Sequence, residues 1–196
     1  TKKLITQGYR VTILDDLSSG VKFKLPLPHR YIKLDISNKN NLKKIPNKKY
    51  LVVFHLAAQS SGPMSGIDSY NDFKRNVLAT FNILDWSNKK KVKKFIFTSS
   101  MSVYGSYKTS VSEKFKKNPE SFYGMSKNIG EEYVNFFKRK GLKTIIFRLF
   151  SVYGPGQNLN NKMQGMLSIY LSYIIEDKPI IVKGNLKRIR DFVFID

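Results

Sequence analysis

Arg10-Val11-Thr12-Ile13-Leu14-Asp15-Asp16 is a short apolar run with β-branched residues that stops at two carboxylates. Such residues fit a pleated strand, and an unbroken apolar run suits a strand buried within a parallel sheet. Upstream, Thr1 to Gly8 reads as the end of a helix, with Gly8 at its C-cap. Downstream, a loop through Gly20, Pro26 and Pro28 leads to a second candidate strand, Tyr31-Ile32-Lys33-Leu34, which ends in Asp35-Ile36. A third, Leu51-Val52-Val53-Phe54-His55-Leu56, is apolar enough to be buried on both faces and delivers Ala57-Ala58 at its carboxyl end. An acid that closes the second strand of a βαβ unit is placed to accept hydrogen bonds from the ribose of a dinucleotide, and Asp15 is the better candidate of the pair. The glycine-rich phosphate loop of such a unit lies about 20 residues before the acid. Here that position falls before Thr1, so the chain is expected to begin inside its fold.

From Asp68 to Asn88, Phe73, Val77, Phe81 and Leu84 recur at helical spacing. Asn76 sits beside that stripe, where its side chain either bonds to backbone at the sheet or is solvated. The strand Lys94-Phe95-Ile96-Phe97 delivers Thr98-Ser99-Ser100, a helix runs from Ser121 to about Lys140, and another strand covers Thr144 to Arg148. This alternation predicts an α/β fold with a doubly wound, Rossmann-like parallel sheet that lacks its first strand and glycine loop. Beyond Gly156 the pattern changes to a helix bearing Met163, Met166, Leu167, Tyr170 and Ile174 and then two short apolar runs. Residues 1–155 are expected to form the dinucleotide-binding domain, and residues 156–196 the start of a smaller substrate domain.

The chain has 196 residues and 41% hydrophobic content, enough for a real core. No apolar run approaches the roughly 18 residues of a membrane span, and cysteine is absent. A cytoplasmic chain with no membrane partner is expected. The net charge of +21 is mostly lysine distributed along the whole sequence, so no nucleic-acid partner is expected. The dense run Lys89-Lys90-Lys91-Val92-Lys93-Lys94 reads as a solvated helix C-terminus, His29 as an exposed loop histidine and His55 as a core histidine. No metal site is predicted.

Ser121-Phe122-Tyr123-Gly124-Met125-Ser126-Lys127 places a phenol and an ammonium at i and i+4, on one face of a helix. An adjacent positive charge favours phenolate, so Lys127 is expected to lower the pKa of Tyr123 and make it a usable acid/base near neutral pH.

With Asp15, Asp35-Ile36, His55-Leu56-Ala57-Ala58, Thr98-Ser99-Ser100 and Tyr123 to Lys127 in this order, the chain resembles the extended short-chain dehydrogenase/reductase family. The stretch from Phe97 to Gly105 and the later Arg190-Asp191-Phe192-Val193 resemble its NAD-dependent nucleotide-sugar epimerases and dehydratases in particular. The resemblance implies bound NAD, a nucleotide-diphosphate sugar substrate and a homodimer. It implies that Asp15, Asp35, Ile36, Ala57, Ala58 and Asn76 bind the cofactor, together with Tyr123 and Lys127. Ser100, Tyr123 and Lys127 would be catalytic, and Ser100, Ser102 and Arg190 would contact the substrate. Dehydratases of this family place an Asp-Glu pair directly after the serine or threonine hydroxyl; here Met101 and Ser102 stand there, which favours 4-epimerisation of a UDP-sugar through a 4-keto intermediate. A 4,6-dehydratase, a decarboxylase, a keto-sugar reductase or an inactive NAD- and nucleotide-sugar-binding fragment are the alternatives. Ser151 departs from the asparagine that many members carry at that position. The homodimer interface is expected on the helices around 68–88 and 121–140, through Ile83, Trp86, Phe136 and Phe137.

Overall fold

All of the strand ladders described run parallel. The computed structural model describes residues 1–18, 29–163, 165–182, 185–187 and 189–195. The loop expected through Gly20, Pro26 and Pro28 lies outside these residues. Strand β1 (Thr12–Asp15) pairs with β2 (Arg30–Lys33), with Thr12 opposite Arg30 and Asp15 opposite Lys33. Strands β3 (Val52–His55), β4 (Lys94–Ser100) and β5 (Thr144–Leu149) form a second set with β4 in the middle. A last pair joins β6 (Ser151–Tyr153) to β7 (Phe192–Phe194), across the boundary expected at residue 155.

Parallel neighbours need crossover connections. Helices α2 (Gly62–Ile67), α3 (Ser69–Phe73) and α4 (Ala79–Lys89) carry the chain from β3 to β4, and α5 (Phe122–Arg139) carries it from β4 to β5. Ser61, Asp68 and Ser121 cap α2, α3 and α5 by accepting hydrogen bonds from Met64 N, Asn71 N and Gly124 N. At the chain start, α1 (Lys2–Thr6) closes with bonds from Gly8 N to Ile5 O and from Tyr9 N to Leu4 O, the double bond of a Schellman end.

Between α3 and α4 the helix opens into a wide π turn, Lys74–Leu78. The extra residue changes the phase of the side chains, and the expected stripe divides: Val77 and Leu84 are buried, whereas Phe73 and Phe81 are exposed. Ile83, Leu84, Val134 and Phe137 form one core with Leu34, Leu42, Ile45, Phe95 and Phe97. Burying a side chain as fully as Leu84 contributes roughly 1.5–3 kcal/mol. Gly130 brings α5 close to β4, because a Cβ there would sit 2.7 Å from the Phe97 ring.

Several expectations need correction. Strand β3 is not buried on both faces: Val52 is 39% and Phe54 47% exposed, and Ile145, Phe147 and Leu149 of β5 are exposed as well. Alternation turns one set of side chains toward α4 and α5, while no described helix covers the other set. Ile83 and Phe137, expected at an interface between copies, are buried in the chain's own core, whereas Phe136 is exposed. His29 is half-buried. His55 is a core histidine; its Nε2 lies 2.9 Å from Thr80 Oγ1, and burial, with a smaller push from Lys127, lowers its pKa to about 3. The lysine run follows the end of α4, where Lys89 pairs with Asp85 and Lys90 donates to Asn47. No described helix is long and apolar enough to cross a membrane.

Candidate active site

The carboxyl ends of β1, β2 and β3 surround a cavity of about 180 Å³. Its walls include five sequence-predicted residues, Asp15, Asp35, Ile36, Ala57 and Ala58. Asp15 Oδ1 accepts from Leu17 N and Asp35 Oδ1 from Ser37 N, each at 2.8 Å, so both carboxylates are oriented by the turns that follow their strands. Partial burial works against the Asp35 carboxylate, but its interaction with Ser37 and the charges of Lys74 and Arg75 hold its pKa below the usual value. The alanines leave room where a larger side chain would close the cavity.

Asn76, carried on the π turn, bonds to backbone and is not solvated. Its Nδ2 donates to Gln59 O at 2.9 Å, and its Oδ1 accepts from Gln59 N at 3.0 Å. This reciprocal pair fixes the backbone immediately after Ala57-Ala58.

At its own carboxyl end, β4 delivers Ser100, which is buried and caps the following 3-10 turn (Met101–Tyr104). Ser100 Oγ accepts from Ser102 N at 3.2 Å and donates to Ser102 Oγ at 3.1 Å. The first turn of α5 lies against this loop because residue 124 is glycine: an added Cβ would meet the Ser102 carbonyl oxygen at 2.5 Å. Tyr123 N, one of the free donors of that helix end, bonds to Ser65 Oγ at 3.1 Å. Ser100 acts on the Tyr123 phenol so as to favour its ionised form. Arg190 reaches the same loop, with Nη1 3.9 Å from Met101 Sδ.

Lys127 Nζ donates to Thr98 O at 2.8 Å and lies 5.1 Å from the centre of the Phe97 ring and 5.8 Å from that of Tyr123. Burial lowers its pKa to about 8, with the charge of Asp72 opposing that shift. The expected lowering of the Tyr123 pKa by Lys127 is not seen. Burial raises it, the interaction with Ser100 offsets part of that, and the Asp72 charge raises it further. The ammonium is directed at the Thr98 carbonyl and the aromatic faces, so desolvation dominates the phenol.

The model of the NAD dependent epimerase/dehydratase family matches residues 1–196. The chain belongs to that family. It is 36% identical over 196 residues to a putative UDP-glucose 4-epimerase of Methanocaldococcus jannaschii, covering 98% of this chain and 64% of that protein. The structure of a Thermotoga maritima UDP-glucose 4-epimerase with UDP-glucose superposes with a TM-score of 0.89 at 31% identity, over 98% of this chain and 63% of the other. A Thermus thermophilus UDP-glucose 4-epimerase in complex with NAD gives 0.89 at 26% identity, over 98% and 65%. Proteins named as a reductase, a 4,6-dehydratase and a decarboxylase of nucleotide sugars match as well. The chain spans less than two thirds of the length of each of these relatives.

For a member of the epimerase/dehydratase family, the sequence-predicted residues fall into two groups. Asp15, Asp35, Ile36, Ala57 and Ala58 share the cavity, while Ser100, Ser102, Tyr123, Lys127 and Arg190 gather around the end of β4. Asn76 serves the first group through Gln59. Sequence reading missed Arg75, whose Nη2 is 3.6 Å from Asp16 Oδ2 in the cavity wall, and the buried carboxylates Asp72 and Glu131.

Glu131 carried a legible signal, because it continues the i, i+4 row of Tyr123 and Lys127 by one more turn. It is fully buried, accepts from Ser99 Oγ at 2.6 Å, and is gripped by Arg148 through Nε and Nη2, each at 2.8 Å. Arg148 Nη1 also donates to Tyr104 OH at 2.9 Å. Burial would raise the Glu131 pKa, but hydrogen bonds from Arg148 and Ser99 and the charges of Arg148 and Lys117 hold it below the usual value. A depressed carboxylate stabilises the fold above its unfolded pKa, and that contribution is lost as pH falls through the folded value. Glu131→Ala leaves Arg148 without its partner and should cost about 3–5 kcal/mol. Urea unfolding of the complete protein at pH 7 and at pH 4 checks this, with the difference between wild type and variant shrinking at the lower pH.

Proposed function

We propose that the complete protein catalyses 4-epimerisation of a UDP-sugar, with NAD bound along the carboxyl ends of β1 to β4. The observation that carries this reading is the convergence of Ser100, at the end of β4, with the first turn of α5, where Tyr123 and Lys127 stand one helical turn apart and Gly124 packs against the Ser102 carbonyl. The first cavity fits an adenosine: two oriented carboxylates can accept from ribose and adenine donors, and Ala57-Ala58 allow close approach. Lys127 would hold the nicotinamide ribose. Bound NAD supplies reversible hydride transfer at C4 of the sugar.

Tyr123, as phenolate, takes the proton from the sugar 4-hydroxyl, and Ser100 orients that oxygen by hydrogen bonding. When the 4-keto sugar is reduced from its other face, Tyr123 returns the proton to the same oxygen. The buried phenol begins in its protonated form, so a base-limited rate should rise with pH toward its raised pKa. Met101 and Ser102 carry no group able to act as acid or base in elimination of water, which supports epimerisation over 4,6-dehydration. Arg190 presents a planar fork of donors suited to the diphosphate. In this reading residues 1–155 bind the cofactor and residues from 156 onward contribute to sugar-nucleotide binding. The outward sides of α4 and α5 and the π turn leave Leu78, Phe81, Met125 and Phe136 each more than a third exposed, an apolar surface suited to pairing with a second copy.

Interconversion of UDP-glucose and UDP-galactose by the complete protein tests the reading. Tyr123→Phe should reduce kcat by about 10³–10⁴-fold, and Ser100→Ala by about 10²-fold, since water can replace part of its hydrogen bonding. Activity of Tyr123→Phe close to wild type would refute the assignment of the base, and release of a 4-keto product or of CO₂ would point to a dehydratase or decarboxylase. NAD should bind more tightly than NADP in calorimetry, because Asp15 repels a 2′-phosphate and Asp16 occupies Arg75. In sedimentation at micromolar concentration the complete protein should run as a dimer, and Phe81→Glu with Phe136→Glu should yield a monomer.

A further inference from the structure

The part of the site that the proposed chemistry leaves unused is a buried carboxylate between its two halves. Asp72 is fully buried, in the first turn of α3. Its Oδ1 accepts from Asn76 Nδ2 at 2.8 Å and from Gln59 Nε2 at 3.2 Å, and its Oδ2 accepts from Ser126 Oγ at 2.6 Å. Asn76 and Gln59 belong to the cofactor floor, whereas Ser126 directly precedes Lys127 on α5. All three donors are neutral. No cation lies within ion-pair distance among the described residues. Burying a carboxylate without a paired cation is costly, and the favourable helix end returns only part of that cost. An asparagine would occupy the same space and bond to the same neighbours without the charge, so packing alone does not account for an acid here.

We propose that Asp72 is a positioning residue that joins the cofactor floor to the catalytic turn of α5 and, through its negative charge, sets the resting protonation of Tyr123 and Lys127. The inference rests on the reading of Tyr123 and Lys127 as the proton-transfer pair. Among the described residues, Arg190 lies against Met101 and the other charges around the pair are engaged elsewhere. Glu131 of α5 and Arg148 of β5 hold each other, with Lys117 beside them. On the π turn, Lys74 faces Asp35 and Arg75 faces Asp16. His55 of β3 is neutral, Tyr104 of the 3-10 turn bonds to Arg148, and Asp85 of α4 pairs with Lys89. Helix α2 carries no titratable side chain, and Lys94 lies at the opposite end of β4. Among the described residues, Asp72 is the charge that acts on both members of the pair. Its sign favours the neutral phenol and the charged ammonium, the form that returns a proton to the sugar oxygen.

Loss of this charge and loss of packing have opposite effects on Lys127. Neutralising Asp72 removes a term that raises both groups, so both titrate at lower pH. Loosened packing lets water in, which also lowers the phenol but raises the ammonium. Titration of ¹³C-labelled tyrosine and lysine by NMR in the complete protein separates the two, with Tyr123→Phe and Lys127→Arg used to assign the signals. In Asp72→Asn both midpoints should move to lower pH, and the pH dependence of kcat should move with that of Tyr123. A Lys127 midpoint that rises, or two midpoints that stay in place, would overturn the proposal. The wild-type protein gives an independent reading should Asp72→Asn not fold: uptake of a proton by Asp72 at acid pH should produce a coupled step in the Tyr123 and Lys127 signals, and its absence would count equally against the proposal. Because none of the NMR readings requires turnover, they stand apart from the epimerase assay. Failure of Tyr123→Phe to lose activity would sink the catalytic assignment and leave the electrostatic result intact.

Discussion

The paired grip of Arg148 on Glu131 is the constraint on which the carboxyl end of β4 and the start of α5 depend. A carboxylate with no exposed surface is tolerated only where several donors reach it, and here α5, β4 and β5 each supply one part of the arrangement. Ser99, the neighbour of Ser100, donates to that carboxylate. The same arginine reaches Tyr104, so the 3-10 turn after β4 is referred to the same point. The positions of Ser100 and Tyr123 therefore follow from a network one layer beneath them. The network is polar in a core otherwise filled by Phe95, Phe97, Leu84 and Val134, and its directional bonds fix the rotation of α5 about its own axis in a way that apolar packing does not.

Fold class was readable because the strand pattern and the crossover helices agree. The runs ending in Asp15, Asp35, His55 and Ser100 all become parallel strands with their functional residues at or just beyond the carboxyl ends. Those ends are where chain direction and helix placement leave space in an open α/β sheet. The cavity walls were legible for the same reason, since each predicted residue is local to a strand end. Asp16–Arg75 was not, because the two residues lie far apart in sequence and nothing local to either announces the other.

The least legible segment is the helix that carries Asn76. A regular period assigned Phe73, Val77, Phe81 and Leu84 to one face, and the wide turn at Lys74–Leu78 shifts the phase between them. That irregularity turns Asn76 inward to the Gln59 backbone and leaves two phenylalanines outside. Charge logic also ran differently. Opposite charge at i, i+4 suggested a phenol made more acidic, but Lys127 spends its ammonium on a backbone carbonyl and Tyr123 is governed by its burial. Spacing along a helix gives proximity; the direction of each side chain decides which interaction is made.

Gly124 has a mechanical consequence. With its Cα pressed against the Ser102 carbonyl, the start of α5 has no clearance toward the loop after β4, and Gly130 holds the middle of the same helix against Phe97. Two such contacts on one helix make α5 and β4 a stiff block, so the gap between phenol and serine hydroxyl is set when the chain folds and does not wait on a ligand. On the other side Arg190 approaches this block with Nη1 3.9 Å from the Met101 thioether, a much looser contact than either glycine packing. A polarisable sulfur tolerates small displacements of its neighbour, so strain on that side is absorbed without shifting α5 against β4.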